Sequence, residues 1–309
     1  MTSLVVGGGS IGQRHARVLS EIGDRTKVVF VSNRTDLAYV SHPTISEAFE
    51  HHNIDYVVIA NETARHRHAV DDLVVANYQG PVLIEKPAAL GSDDLDLSSF
   101  LRVGVAYNLR FHPLLQNLKN RLDGEKILSV EAYAGQALET WRPGRSVAEQ
   151  YSAHQSRGGG VLRDLSHELD YLAWMCGRTL GVFALGGRIA NVTVDSDDSW
   201  SIVARTEHVS QLALQLNYLD RPGSRFIRIV TQEKTFHADI LAGTLSVSSS
   251  SNTRLESFPI DRDETYRHMH LDMMTESPTS VTTLAEARDI DNLILGIERS
   301  AREGRWVTT

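Results

Sequence analysis

The run Gly7-Gly8-Gly9-Ser10-Ile11-Gly12 limits what this chain can fold into more than any other segment. It follows an apolar stretch, Leu4-Val5-Val6, and precedes a helical pattern from Ile11 to Ile22. A G-x-G-x-x-G spacing between strand and helix serves a tight turn, a close approach of backbone to a ligand, and close packing of helix on strand. The amino end of such a helix offers unpaired N–H groups and the positive end of a dipole, which suits a dinucleotide pyrophosphate. On that reading Gly7, Gly9, Ser10, Ile11 and Gly12 bind cofactor. A glycine-rich turn with no ligand is the alternative that this run leaves open.

The segments around it support the first reading. Short β-branched runs at Leu4 to Val6, Lys27 to Ser32, Tyr56 to Ala60, Val82 to Ile84 and Val103 to Tyr107 alternate with helical patterns. That alternation predicts parallel strands joined by helical crossovers, and the lack of apolar/polar alternation predicts a sheet buried on both faces. Past Tyr107 the texture changes. A helix is expected over 114–122, a strand from Ile127 to Tyr133, one continuous helix from Val161 to Cys176, and a last helix from Leu284 to Glu303. Closely spaced β-rich runs at 182–192, 199–206, 209–218, 225–232, 234–240 and 243–249 predict an antiparallel sheet. With 309 residues, two domains are expected, divided as 1–108 and 109–309.

Composition removes several classes of function. Lys+Arg 31 against Asp+Glu 39 gives a net charge of −8, which leaves no global positive field for a nucleic-acid backbone. Cys176 is the single cysteine, so neither a disulfide framework nor a cysteine-rich zinc site is available. No apolar stretch approaches the roughly 18 residues of a membrane span. The amino terminus carries no secretory pattern, so a cytoplasmic location is expected. Among 13 histidines, the close pairs His51-His52, His66/His68 and His268/His270 lack the spacing of a helical zinc site, and no metal is expected.

The second strand ends in Ser32-Asn33-Arg34, where a carboxylate would stand if it were to hold the ribose 2′-hydroxyl of NAD. Arg34 can instead grip a 2′-phosphate bidentately, with Ser32 and Asn33 donating to it, which favours NADP. Alternatively Arg34 is a solvated surface charge and NAD is held otherwise. The fourth strand runs into Glu85-Lys86-Pro87, at the sheet edge where ligands of doubly wound folds sit. Lys86 there can hydrogen-bond a substrate oxygen and stabilise developing negative charge, or Glu85 and Lys86 can be an ordinary exposed pair.

A glycine-led block, Gly158-Gly159-Gly160, opens the expected helix that carries Asp164, His167 and Asp170. On a helix Asp164 and His167 lie on adjoining faces. An imidazole with a pKa near neutrality suits exchange of an alcohol proton, although a lone histidine on a helix is also commonly structural.

Taken together, Gly7 to His15, Glu85-Lys86-Pro87, Tyr107-Asn108-Leu109-Arg110-Phe111-His112-Pro113 and the Gly158 to Gly177 block resemble the glucose–fructose oxidoreductase / inositol dehydrogenase / rhizopine catabolism family, Gfo/Idh/MocA. The resemblance implies an α/β fold class: a Rossmann doubly wound parallel sheet, then an α+β domain with an open, mostly antiparallel sheet. It implies a sugar-like small-molecule substrate lying between the domains over the nicotinamide of NADP or NAD, and a homo-oligomer, dimer or tetramer. Carried over by motif, the catalytic set is Lys86, His167 and Asp164, and Asn61, His66 and Glu85 become cofactor neighbours. This chain has two residues, Leu165 and Ser166, where family members commonly have three between the Asp and the His. The segment Glu139-Thr140-Trp141-Arg142-Pro143 and Tyr151 resembles members from bacterial surface-sugar pathways, so Arg110, Trp141, Arg142 and Tyr151 are expected to contact substrate.

The implied activity is hydride transfer between a nicotinamide and a hydroxyl or keto carbon of a sugar, cyclitol or nucleotide-linked sugar. A dinucleotide-binding sensor without catalysis is the rival on the same fold. Net lyase or epimerase chemistry with a tightly held cofactor is a third possibility.

Overall fold

A computed structural model describes residues 1–23, 26–88, 90, 97–142, 144 and 146–309. Pro143 of the substrate segment lies outside them. In chain order the elements are β1 (Thr2–Val6), α1 (Ser10–Ile22), β2 (Lys27–Val31), β3 (Val40–His42), α2 (Ile45–His51), β4 (Tyr56–Ile59), α3 (His66–Val75), β5 (Pro81–Ile84) and β6 (Arg102–Val105). Next come α4 (Pro113–Leu122), β7 (Ile127–Gly135), α5 (Val161–Asp164), α6 (Ser166–Cys176), β8 (Thr179–Gly187), β9 (Ser199–Thr206), β10 (Leu212–Asn217), β11 (Ser224–Thr231), β12 (Thr235–Asp239), β13 (Thr244–Ser248) and β14 (Thr253–Ser257). The chain ends with α7 (Glu264–Met274), β15 (Thr282–Thr283), α8 (Leu284–Glu303) and β16 (Val307–Thr308).

Two compact units result: Met1–Phe111 with Arg262–Arg288, and His112–Asp261 with Asp289–Thr309. A single cut at residue 108 does not describe this division. Residues 262–288 return to the first unit because α7 seats Tyr266, Met269 and Met273 in a core with Val5, Leu19, Phe30, Val58 and Leu83.

The first unit is a Rossmann fold, with sheet order β15-β6-β5-β4-β1-β2-β3. All its strand pairs are parallel except β15 on β6. Strands β1, β4 and β5 are buried almost without interruption, as a sheet covered on both faces requires. The order reverses at β1, with β4 on one side and β2 on the other, so the carboxyl ends of these strands face a topological switch point.

The second unit carries a nine-stranded sheet in the order β14-β13-β12-β11-β7-β10-β9-β8-β16. It is antiparallel except for the β7–β10 pair. Burial alternates residue by residue along β9 and β10, so one face is packed and the other open. The β-run predicted over 182–192 starts earlier, at Thr179, and stops at Gly187.

The continuous helix predicted from Val161 to Cys176 is two helices. Leu165 leaves helical geometry at φ −95°, ψ 23°. Asp197 anchors the first of them, its backbone carbonyl accepting from Val161 N–H and its Oδ2 from Leu162 N–H, a capping partner supplied from 35 residues away. Among the described residues no helix is long and apolar enough to cross a membrane, and no His/Cys/Asp/Glu group is arranged to hold a metal ion.

Candidate functional site

The glycine turn is built on three different demands. Gly7 has φ +112° and its Cβ position lies 2.6 Å from Asn61 N, so the turn itself requires glycine there. At Gly12 a Cβ would stand 1.9 Å from the Gly7 carbonyl oxygen, so the close approach of α1 to β1 requires the second. Gly9 is different: an added Cβ would meet nothing within 4 Å. The fold does not need glycine at that position, and the space it keeps clear lies at the start of α1, whose N-cap is Gly9 itself. That helix has no side-chain cap and no acidic residue in its first turn. An uncapped amino terminus with a clear approach accommodates a phosphate.

The carboxyl ends of β4 and β5 contribute next. Asn61 follows β4, and its Oδ1 is buried without a hydrogen-bond partner among the described residues, an acceptor open to a ligand donor. His66 is 1% exposed and bridges two loops, with Nε2 at 3.2 Å from the Asn61 carbonyl and Nδ1 at 3.3 Å from the Ala88 carbonyl. Burial pushes its pKa below the usual histidine value, against the pull of those carbonyls and of Glu85. Glu85 continues the ladder through its N–H to the Ile59 carbonyl, and its Oε2 accepts from the Lys86 N–H at 3.1 Å. The Lys86–Pro87 peptide is cis.

At the end of β2, Arg34 lies against the glycine turn, Nη1 donating to the Gly8 carbonyl at 3.2 Å. Its Nε and Nη2 form a fork on the two Asp36 oxygens at 2.8 and 2.5 Å. Ser32 Oγ accepts from the Arg34 N–H, and a Cβ on Gly8 would stand 2.5 Å from that hydroxyl. Asn33 is exposed beside them. A search for a carboxylate that stopped at the strand end missed Asp36, which the bend after Arg34 brings back onto the guanidinium.

In the second unit the structure gathers four expected residues around one that sequence reasoning missed. Asp164 is buried, and its Oδ1 accepts from the Tyr151 hydroxyl at 2.7 Å while Oδ2 accepts from the Tyr218 hydroxyl at 2.6 Å. The Arg142 guanidinium sits 4.8 Å above the Tyr151 ring, and Trp141 meets the Tyr218 ring edge-on at 5.2 Å. Burial first, then the Asp164 charge, holds both phenols protonated far above their ordinary range. Tyr218 follows β10 and had no local signal, since its partner lies 54 positions away. His167, on α6, is partly exposed.

Two expectations change here. The break at Leu165 removes the single helix on whose adjoining faces Asp164 and His167 were expected, and Asp164 accepts from two tyrosines. Arg110, expected at substrate, is 3% exposed in the first unit and donates from Nη1 to Glu286 at 2.9 Å. Burial works against ionisation of Glu286, but Arg110 and the Thr283 N–H and hydroxyl outweigh it and hold the carboxyl below its usual range.

Residues 1–97 match the model of the oxidoreductase family with an NAD-binding Rossmann fold, Gfo/Idh/MocA. No curated protein matches the chain. Among solved structures, levoglucosan dehydrogenase in complex with NADH and levoglucosan is similar over 100% of this chain and 99% of its own, with a TM-score of 0.84 at 16% identity. An NAD-binding oxidoreductase from Klebsiella pneumoniae is similar over 100% and 98%, TM-score 0.83, at 14% identity. GenD2 from gentamicin A biosynthesis, in complex with NAD, is similar over 100% and 96%, TM-score 0.78, at 20% identity. At these identities the likeness establishes the fold.

Proposed function

We propose that the chain, whose residues 1–97 match the model of the Gfo/Idh/MocA oxidoreductase family, is an NAD(P)-dependent dehydrogenase or reductase of a sugar-like carbinol. The observation that carries the cofactor half is the clear space at Gly9 before the uncapped start of α1, with Asn61 Oδ1 buried and unpartnered among the described residues. The residues present fit a dinucleotide: Gly7, Gly9, Ser10, Ile11 and Gly12 would hold the pyrophosphate, Asn61, His66 and Glu85 would neighbour its far end, and Ser32, Asn33 and Arg34 would take the adenosine ribose. Arg34, resting on the Gly8 carbonyl, supports a preference for NADP, which Asp36 moderates.

When bound, the nicotinamide supplies a hydride acceptor or donor. In the oxidising direction His167 would accept the substrate hydroxyl proton at a ring nitrogen. Lys86 would donate a hydrogen bond to a substrate oxygen and stabilise negative charge developing there. Asp164 acts through Tyr151 and Tyr218, fixing two neutral phenols, and with Arg142 and Trp141 they form the substrate-recognition surface of the second unit. The guanidinium suits an anionic group on the substrate, and the levoglucosan dehydrogenase among the similar structures is consistent with a sugar-like substrate.

The test is a panel of neutral and acidic keto-sugars reduced with NADPH or NADH, followed at the nicotinamide absorbance. Turnover is expected with at least one member, and Lys86→Ala and His167→Ala should each lower kcat by about 10²-fold or more while NADPH binding by fluorescence stays within about threefold. Cofactor binding with no turnover across the panel would leave a sensor on this fold. Unchanged kcat in both variants would remove the catalytic assignment.

A further inference from the structure

Four side chains inside the first unit form a row, and three of them, Tyr56, His270 and His15, have no role in the reaction as derived above. His15 on α1 is 0% exposed, His270 on α7 is 0%, Tyr56 at the start of β4 is 1%, and Glu85 after β5 is 8%. They form one unbranched line. The Tyr56 hydroxyl lies 3.0 Å from His270 Nδ1, His270 Nε2 lies 2.9 Å from His15 Nδ1, and His15 Nε2 lies 2.9 Å from Glu85 Oε1. Glu85 Oε2 accepts from the Lys86 N–H.

The direction of the protons in this line follows from its buried end. The recorded partner of the Tyr56 hydroxyl among the described residues is His270 Nδ1, and a buried hydroxyl with one partner that can accept donates to it. His270 Nδ1 is then an acceptor, so the proton of the neutral ring is on Nε2, which donates to His15 Nδ1. By the same step His15 carries its proton on Nε2 and donates to Glu85 Oε1. Every nitrogen is satisfied once, and each Glu85 oxygen accepts from one donor. A proton added to either imidazole would either set two N–H groups against one another or make His270 Nδ1 a donor to Tyr56, leaving the hydroxyl proton without an acceptor among the described residues.

We propose that His15 and His270 are positioning residues, two imidazoles each carrying its proton on Nε2, that hold the Glu85 carboxyl group fixed beside the turn carrying Lys86. The deduction of Lys86 as the reacting ammonium rests on the oxidoreductase reading, but the tautomers do not. Rings packed edge-on enforce the arrangement: His15 on His270 at 5.0 Å, His270 on Tyr56 at 5.7 Å, and Tyr266 on His15 at 5.3 Å. Tyr266 carries the Arg14 guanidinium 4.2 Å over its ring, and Asp263 takes that guanidinium, so the nearest outside charges are themselves paired. Burial, then the neighbouring His15, pushes the His270 pKa well below the usual value, in keeping with a ring that stays neutral.

The full-length protein labelled with ¹⁵N in its histidines tests the tautomers without any substrate. Long-range proton–nitrogen spectra between pH 6 and 8 are expected to show a pyrrole-type Nε2 and a pyridine-type Nδ1 for both His15 and His270, each identified by its loss in His15→Gln or His270→Gln. A protonated Nδ1 or an imidazolium at either residue in that range overturns the proposal.

The second readout separates polarity from packing. In His270→Gln the amide can donate to His15 and accept from Tyr56, whereas His270→Phe can do neither. With the panel substrate that turns over best, His270→Phe should lose at least about tenfold in kcat and change the pH profile, with KM for NADPH within about twofold, while His270→Gln recovers most of the rate. A glutamine variant as impaired as the phenylalanine one, or a phenylalanine variant with normal kcat, overturns the positioning role. If no panel member turns over, the oxidoreductase reading fails and the nitrogen spectra still decide the tautomers.

Discussion

Asp36 shows how one carboxylate alters the meaning of a motif. Arg34 offers its Nε/Nη2 fork to whichever anion is present, and Asp36 already occupies it. A 2′-phosphate must share or displace that carboxylate, and like charges a few ångströms apart oppose its binding. Asp36→Asn is therefore expected to tighten NADPH by about three- to tenfold while NADH changes by less than about twofold, measured by nicotinamide fluorescence titration. Equal tightening of both cofactors would mean that Asp36 acts on the fold and not on the phosphate. At Asp164 the dependence is on hydrogen bonds to a buried charge. Tyr218→Phe leaves Oδ2 without its phenol donor and should cost roughly 1.5–3 kcal/mol of stability in urea unfolding. An unchanged midpoint would show that water replaces the phenol at no cost.

Helix α6 shows how an element is held where its sequence alone would not place it. Glu168 on α6 is fully buried and takes a two-point grip from Arg225 on β11, at 2.5 and 2.9 Å, with the Tyr171 hydroxyl donating to the same carboxylate at 3.2 Å. Such a pair contributes little net stability relative to an apolar pair, but removing one partner strands a buried charge. Arg225→Met should therefore destabilise the second unit by about 3–5 kcal/mol, and Arg225→Met with Glu168→Met should be distinctly less harmful than that single change. Denaturant unfolding of the three variants checks this, and a double variant worse than the single would contradict it. The tie also bears on the proposed chemistry, because His167 adjoins Glu168 on the helix so fixed.

For the whole molecule, buried histidines set the acid limb of stability. Burial is the largest cause lowering the pKa of His66, His112 and His270, and for His112 the value is pushed down to about 4 with Arg225 adding to the effect. The unfolded chain takes up these protons near pH 6.5, while the folded chain does not until lower pH. The stability they contribute is thus complete above about pH 6.5 and falls as pH decreases, for His112 across the window from about 6.5 to about 4. Each can remove up to about 1.4 kcal/mol per pH unit in its window. Asp197, raised by burial above the carboxylate value, acts in the opposite sense and recovers some stability at the acid end of that window. Tm should drop between pH 7 and 5, and the drop should be smaller in His112→Gln. A Tm that is flat over that range would exclude the neutral buried state of these rings.

The Rossmann half of the molecule was legible residue by residue, because its determinants are local: a strand, a glycine turn and a helix within the first 22 residues, and Glu85-Lys86-Pro87 directly after β5. The sheet of the second unit was legible as a class from its closely spaced β-runs, although the parallel β7–β10 pair within it was not. What the chain's order does not announce are partners far apart in sequence. Helix α7 buries Tyr266, Met269, His270 and Met273 at helical spacing, a pattern present in the sequence and passed over, but its return to the first unit depends on apolar surface offered by α1 and β4. The break at Leu165, the tyrosine clamp on Asp164, the Arg34–Asp36 fork and the Tyr56–His270–His15–Glu85 row all depend on where side chains end up. Short-range pattern determined which elements form, because steric and hydrogen-bonding preferences act between near neighbours. Tertiary packing determined which polar groups meet, because burial obliges each of them to find a partner wherever the fold supplies one.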